Sequence, residues 1–96
     1  MGDPRTLRFG RRFRASLDAA GVVAGTDPGR RVAAVLRALT TAETLPGAGD
    51  VESAIPPVAR AFTRRVPGEN VWIWYVDHGA FVLVLLVTRE PPVPLE

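Results

Sequence analysis

The strongest constraint on this chain lies in its last third. There Val71-Trp72-Ile73-Trp74-Tyr75-Val76 and Phe81-Val82-Leu83-Val84-Leu85-Leu86-Val87 flank the polar break Asp77-His78-Gly79-Ala80. Both runs are rich in β-branched and aromatic residues, and Asp-His-Gly supplies turn chemistry, so a β-hairpin is expected. Neither run alternates apolar with polar residues, as a half-exposed strand would. Either the hairpin is covered on both sides or one side awaits a partner. That pattern favours protein binding over an open, polar catalytic cleft.

Upstream the periodicity turns helical. Phe9, Phe13 and Leu17 recur at i, i+4 and i+8, with Ala20 next, which predicts a helix from Gly10 to about Val23 bracketed by Gly21 and Gly25. Asp27, placed to cap, and Pro28, fitted to a first helical position, open a second helix. Val32, Val35, Leu36 and Leu39 then carry it to Thr41. Arg5–Phe9 reads as a short first strand, Leu45–Asp50 as a loop, and Ala54-Ile55-Pro56-Pro57 as extended chain, because a proline disfavours helix in the residue before it. A strand from Ala59 to Val66 and a turn at Pro67-Gly68-Glu69-Asn70 precede the hairpin; Pro91, Pro92 and Pro94 stop its last strand. The expected fold is one α+β domain over residues 1–96, with an N-terminal two-helix hairpin packed on one face of a twisted, three- or four-stranded antiparallel sheet. Leu95-Glu96 reads as a cloning remnant.

Composition narrows the chemistry. With no cysteine and one histidine, His78, neither a thiolate metal site nor a triad can be assembled, and no metal or cofactor is expected. His78 itself falls in a tight turn, where a solvated role is expected. No stretch reaches the roughly 18 apolar residues of a membrane span, and Met1-Gly2-Asp3-Pro4-Arg5 lacks the apolar core of a signal peptide. A cytoplasmic protein without membrane contact is the expectation. All 12 basic residues are arginine, and Arg5, Arg8, Arg11, Arg12 and Arg14 crowd a stretch without acids. A genome rich in G and C writes such arginines onto solvated faces; alternatively Arg11, Arg12 and Arg14 form a salt-sensitive nucleic-acid contact or meet an acidic partner.

Several strings resemble the RelE/ParE superfamily of bacterial toxin–antitoxin systems, with the YafQ-like branch nearest. Leu45-Pro46 is similar to the Leu-Pro closing the helical hairpin of such toxins. Phe62-Thr63-Arg64-Arg65-Val66 looks like their aromatic and basic strand, Trp72-Ile73-Trp74-Tyr75-Val76-Asp77 like their Trp-bearing strand and turn, and Leu83 to Thr88 like their last core strand. The resemblance implies a sheet face opposite the helices that binds and cleaves ribosome-bound mRNA (RelE-like) or a protein that inhibits DNA gyrase (ParE-like). It also implies a cognate antitoxin that wraps the toxin. The chain departs from the YafQ pattern where that pattern has histidines: Asp50-Val51, Arg65 and Pro91-Pro92 stand in those neighbourhoods.

RNA cleavage of this kind needs a base for the 2′-hydroxyl, a donor for the leaving oxygen and cations for the phosphate. Arg64, Arg65 and Arg89 are the candidate cations, and Glu90, or alternatively Asp50, the candidate base. Trp72 and Trp74 share one strand face and Ile73 and Tyr75 the other, so one pair packs on the helices and the other is satellite core or an exposed aromatic platform. Whichever hairpin face stays uncovered is expected to contact protein in preference to RNA, because its neighbouring strand offers only apolar groups; a homodimer through that face is included. The leading reading is a toxin of the mRNA-interferase kind. A gyrase inhibitor needing no catalytic residues, and a non-toxic binding module, are the alternatives.

Overall fold

The computed structural model describes residues 4–55 and 58–92. Pro56-Pro57, Pro94 and Leu95-Glu96, read above as extended chain, strand stop and cloning remnant, fall outside them. The elements run β1 (Thr6–Phe9), α1 (Phe13–Ala19), α2 (Asp27–Thr41), β2 (Val51–Ile55), β3 (Val58–Arg65), β4 (Trp72–Asp77) and β5 (Phe81–Thr88).

Helix α2 begins where a side chain can satisfy its first turn. Thr26 sits in extended conformation and its hydroxyl accepts from the Gly29 N–H at 3.3 Å, so Thr26 is the cap and Asp27, expected to cap, is the first helical residue. Asp27 instead pairs with Arg30 at 2.5 Å. Gly29 is required for close approach: a Cβ there would lie 2.2 Å from the carbonyl oxygen of Val23 in the interhelix turn. The predicted stripe faces the core, with Val32, Val35 and Leu39 buried and Leu36 packed beside them. At the far end the Arg5 N–H donates to the Thr40 carbonyl at 2.9 Å and its guanidinium to the Ala42 carbonyl, tying the strand-leading segment to the helix terminus. Helix α1 is shorter than its periodicity suggested. Gly21, at φ +70, ends it, while Phe13 and Leu17 pack against the core as expected.

The sheet corrects the expectation of three or four antiparallel strands. It has five, in the order β1-β5-β4-β3-β2, and it is mixed, because β1 pairs with β5 in parallel, Thr6 opposite Phe81 and Phe9 opposite Val84. A strand therefore precedes the helices. β1 covers only the first half of the β5 edge. The chain leaves at Gly10, whose N–H reaches the Val84 carbonyl at 2.8 Å, and α1 takes over, the Ser16 hydroxyl accepting from the Val87 N–H at 3.0 Å. A strand edge left open invites pairing with another chain; here helix and strand share the work of closing it. β2, absent from the sequence reading, forms the opposite edge against β3.

The missing alternation in the hairpin has a structural cause. A bulge after Trp74 sets Trp74 opposite Leu86 and Tyr75 opposite Val84, leaving Leu85 as the extra residue. The phase of β5 slips there, so Val82, Val84 and Val87 all reach the helix side and are buried. Ile73 and Tyr75 join them, fully buried. The core on this side is thus Val32, Val35 and Leu39 of α2 against Ile73, Tyr75, Val82, Val84 and Val87. The two tryptophans go to the far face.

Candidate functional site

The densest polar arrangement forms around Asp50, at the end of the loop before β2. Its carboxylate is almost sealed from solvent (1% exposed) and accepts four hydrogen bonds. Arg64 supplies two, Nε to Oδ1 at 2.7 Å and Nη2 to Oδ2 at 2.8 Å. The Gly47 N–H supplies a third at 2.8 Å and the Tyr75 hydroxyl the fourth. Arg64 lies opposite Ile73, on the helix side of the sheet, and its planar fork meets the carboxylate edge on.

The charges settle accordingly. Burial pushes the Asp50 carboxyl upward, but the hydrogen bonds from Arg64, Tyr75 and Gly47 outweigh it, and its pKa ends below the ordinary value. The Asp50 hydrogen bond, opposed by burial, holds Arg64 more firmly protonated. Burial first, then the neighbouring carboxylate, push the Tyr75 hydroxyl far above its usual range. Asp50 is therefore an ionised acceptor with its lone pairs spent, a poor general base, and Tyr75 stays a neutral donor. The groove that Arg64 borders, about 460 Å³ between α2 and the end of β3, also has Arg31 and Arg65 on its rim, and Glu69 holds Arg31 at 2.5 Å. Arg64 and Arg31 thus each have their own carboxylate.

The other sequence candidates make other contacts. Arg65 lies opposite Trp72, on the face away from the helices, with its guanidinium carbon 5.7 Å from the indole centre. It donates to the Glu69 carbonyl at 3.2 Å and the Asn70 side chain at 3.0 Å. Arg89, beyond β5, donates through Nε to the Ala20 carbonyl at the end of α1, where a cation complements the helix dipole. Glu90 is exposed, and its main-chain oxygen accepts from the Thr88 hydroxyl at 3.1 Å. Arg11, Arg12 and Arg14 are exposed around the start of α1. The structure brings Arg64 together with Asp50; Arg64 and Arg65 both border the groove beside α2, while Arg89 and Glu90 border a separate cavity at the end of α1. Among the described residues, no group of three or more His, Asp or Glu could hold a metal ion. No helix among them is long and apolar enough to cross a membrane.

The sheet face away from the helices is the second feature. Val76, Leu83 and Leu86 lie half-buried across β4 and β5, with Trp72 at one end and Phe81 at the other. Trp74 is buried among them, its indole N–H donating to the Thr88 hydroxyl at 3.0 Å. At the Phe81 end, Arg8 of β1 sits 4.3 Å over the ring and the exposed His78 stacks on it at 4.7 Å. His78 thus occupies the turn foreseen for it, in contact with an aromatic ring. The role of Tyr75 in the Asp50 cluster went unseen in the sequence. Its only signal was parity, since Tyr75 and Ile73 share a face and the register aligns them with Phe62 and Arg64. The chain matches no protein-family model, no curated protein and no solved structure.

Proposed function

We propose that this protein is a toxin component of the RelE/ParE type, neutralised by a cognate antitoxin, that acts by gripping a protein target rather than by cutting mRNA. The observation that carries this reading is that Arg64 is spent on Asp50 while the Arg65 guanidinium lies over Trp72, although both border the groove beside α2. Adjacent residues on a strand point to opposite faces, and Arg64 is committed to Asp50 on the helix side. Cleavage would need cations and a base converging on one phosphate. Binding needs a contiguous apolar centre with polar edges, and the half-buried Leu83, Leu86, Val76 and Trp72, beside the buried Trp74 on the far sheet face, support that reading. The gyrase-inhibitor manner of action is therefore preferred. The mRNA-interferase reading keeps two supporting features, the Arg65–Trp72 pair on that face and the three arginines, Arg31, Arg64 and Arg65, that border the groove beside α2.

Expression without an antitoxin, followed by growth and by recovery of cellular mRNA, tests the proposal. Growth arrest with intact mRNA is expected. Leu83→Asp should relieve the arrest, because a charge at the centre of an interface costs at least about 2 kcal/mol, roughly thirtyfold in affinity. Ribosome-dependent mRNA fragments that vanish in Arg65→Ala would overturn the reading in favour of an interferase. Absence of arrest would leave a non-toxic binding module.

A further inference from the structure

We infer that the groove beside α2 is a binding site for a small aliphatic carboxylate, with its tail along α2 and Pro67 and its head between Arg31 and Arg65. The inference is independent of the protein-contact reading of the sheet. At about 460 Å³ the groove falls among small-molecule sites, which run from roughly 300 to 1,000 Å³ and pair an apolar lining with a few charged groups. Ala34, Val35, Ala38 and Pro67 supply the apolar part. The charged part is guanidinium alone, from Arg31, Arg64 and Arg65, with no acid in the lining.

The arginines are held in place without a ligand. Glu69, in the turn after β3, binds two of them: Arg31 through its carboxylate at 2.5 Å and Arg65 through its carbonyl at 3.2 Å. Asn70 fixes Arg65 again at 3.0 Å, and Asp50 takes Arg64. Such preorganisation lowers the ordering cost of binding. Arg31 donates only through Nη1, so its Nε and Nη2 have no acceptor among the described residues. That edge is the one Arg64 presents to Asp50, and it matches the two oxygens of a carboxylate. Arg65 likewise keeps Nη1. Three guanidiniums against the Asp50 and Glu69 carboxylates leave one positive charge, which a monoanion neutralises and a phosphate dianion would exceed.

The lining also chooses among anions. The base of a nucleotide would need an aromatic ring on which to stack, and the lining has none. An aliphatic tail needs only apolar contact, which α2 and Pro67 provide. The cavity of about 300 Å³ at the end of α1 has Arg89 in its lining, but Glu90 stands there too and repels an anion.

Calorimetric titration of the full chain with hexanoate, octanoate, decanoate and the uncharged decanol tests the site. Affinity should rise about tenfold for each two methylenes, as burial of an aliphatic tail requires. Decanoate should bind at least about tenfold tighter than decanol, through its charge-assisted hydrogen bonds. Arg65→Ala should remove most of that margin while leaving decanol unchanged, and because Arg65 is exposed the variant should fold. Ala38→Trp, at an exposed position of the lining, should fill the groove and remove decanoate binding with the circular dichroism spectrum of the fold retained. Equal affinity for decanoate and decanol, or decanoate binding unaltered in Ala38→Trp, would overturn the proposal. An oligouridine that binds tighter than decanoate and displaces it would overturn the ligand class and make the groove a nucleic-acid contact.

Discussion

Replacing Asp50 with alanine is expected to remove about 3 kcal/mol of unfolding free energy, the lower end of the range for breaking a buried ion pair. The loss strands the Arg64 guanidinium, the Tyr75 hydroxyl and the Gly47 N–H, all of which point at one carboxylate. The lower end applies because Arg64 retains 21% exposure and recovers some hydration by turning outward. Tyr75→Phe deletes a single donor and should cost about 1 kcal/mol. Against a total of about 5–15 kcal/mol for a domain of this kind, the Asp50 loss moves a urea midpoint far outside error. The pH profile should change with it. Because the folded pKa of Asp50 lies below its unfolded value of about 3.9, wild-type stability from this group is complete above that value and is lost as pH falls through the folded pKa. The alanine variant should lack that part of the acid limb. Tyr75 acts with the opposite sign: its raised pKa erodes stability once pH exceeds the unfolded value of about 10.

Leu39→Ala should cost a similar amount, about 3 kcal/mol, by a different route. Leu39 is wholly buried and lies near the end of α2, among the valines that seat the helix on the sheet. Truncation removes apolar burial and leaves a cavity that a helix anchored at both ends closes poorly. Thr26 caps one end and Arg5 holds the other, which limits collapse into the void. Calorimetry should show the melting temperature lower by about 15 °C, given the entropy of unfolding of a chain this size. Arg37, exposed on the other side of the same helix, has no such role, and Arg37→Ala provides the control.

The parts of the fold that were legible in the sequence are those where one physical signal repeats. Four apolar residues at helical spacing placed α2 to its last residue. Two β-rich runs around Asp-His-Gly placed β4 and β5 to within a residue. The errors fall where a single residue decides. Thr26 and Asp27 both have capping chemistry, and backbone conformation chose the threonine. Val51-Glu52-Ser53-Ala54-Ile55 is too short to show a period, follows a glycine-rich loop and carries an irregular register against β3, so β2 passed unnoticed. Parallel pairing of β1 depends on where the two helices return the chain, and four residues carry no record of that.

The candidate site residues are distributed by the fold for a simpler reason. Arg64 and Arg65 are neighbours in sequence, which looks like a shared patch, yet strand geometry sends them to opposite faces. Phe62, two residues before Arg64, shares its side of the sheet and is itself packed against the core, which marks Arg64 as the inward member of the pair. Asp50 was seen as a spare base. Its actual position, four hydrogen bonds deep beneath the sheet, follows from the loop after α2 returning beneath β3, and no local spacing encodes that.

The account depends on this division of labour: Arg64 holds the domain together through Asp50, and the exposed Arg65 makes only turn and ring contacts at the edge of the sheet. Denaturant midpoints of Arg64→Ala and Arg65→Ala, measured side by side, examine it with the same chemical change at adjacent positions. Arg64→Ala should lose about 3 kcal/mol, since it leaves Asp50 ionised and buried without its cation. Arg65→Ala should stay within about 0.5 kcal/mol of wild type, as exposed positions usually do. Equal midpoints for the two variants would contradict the account.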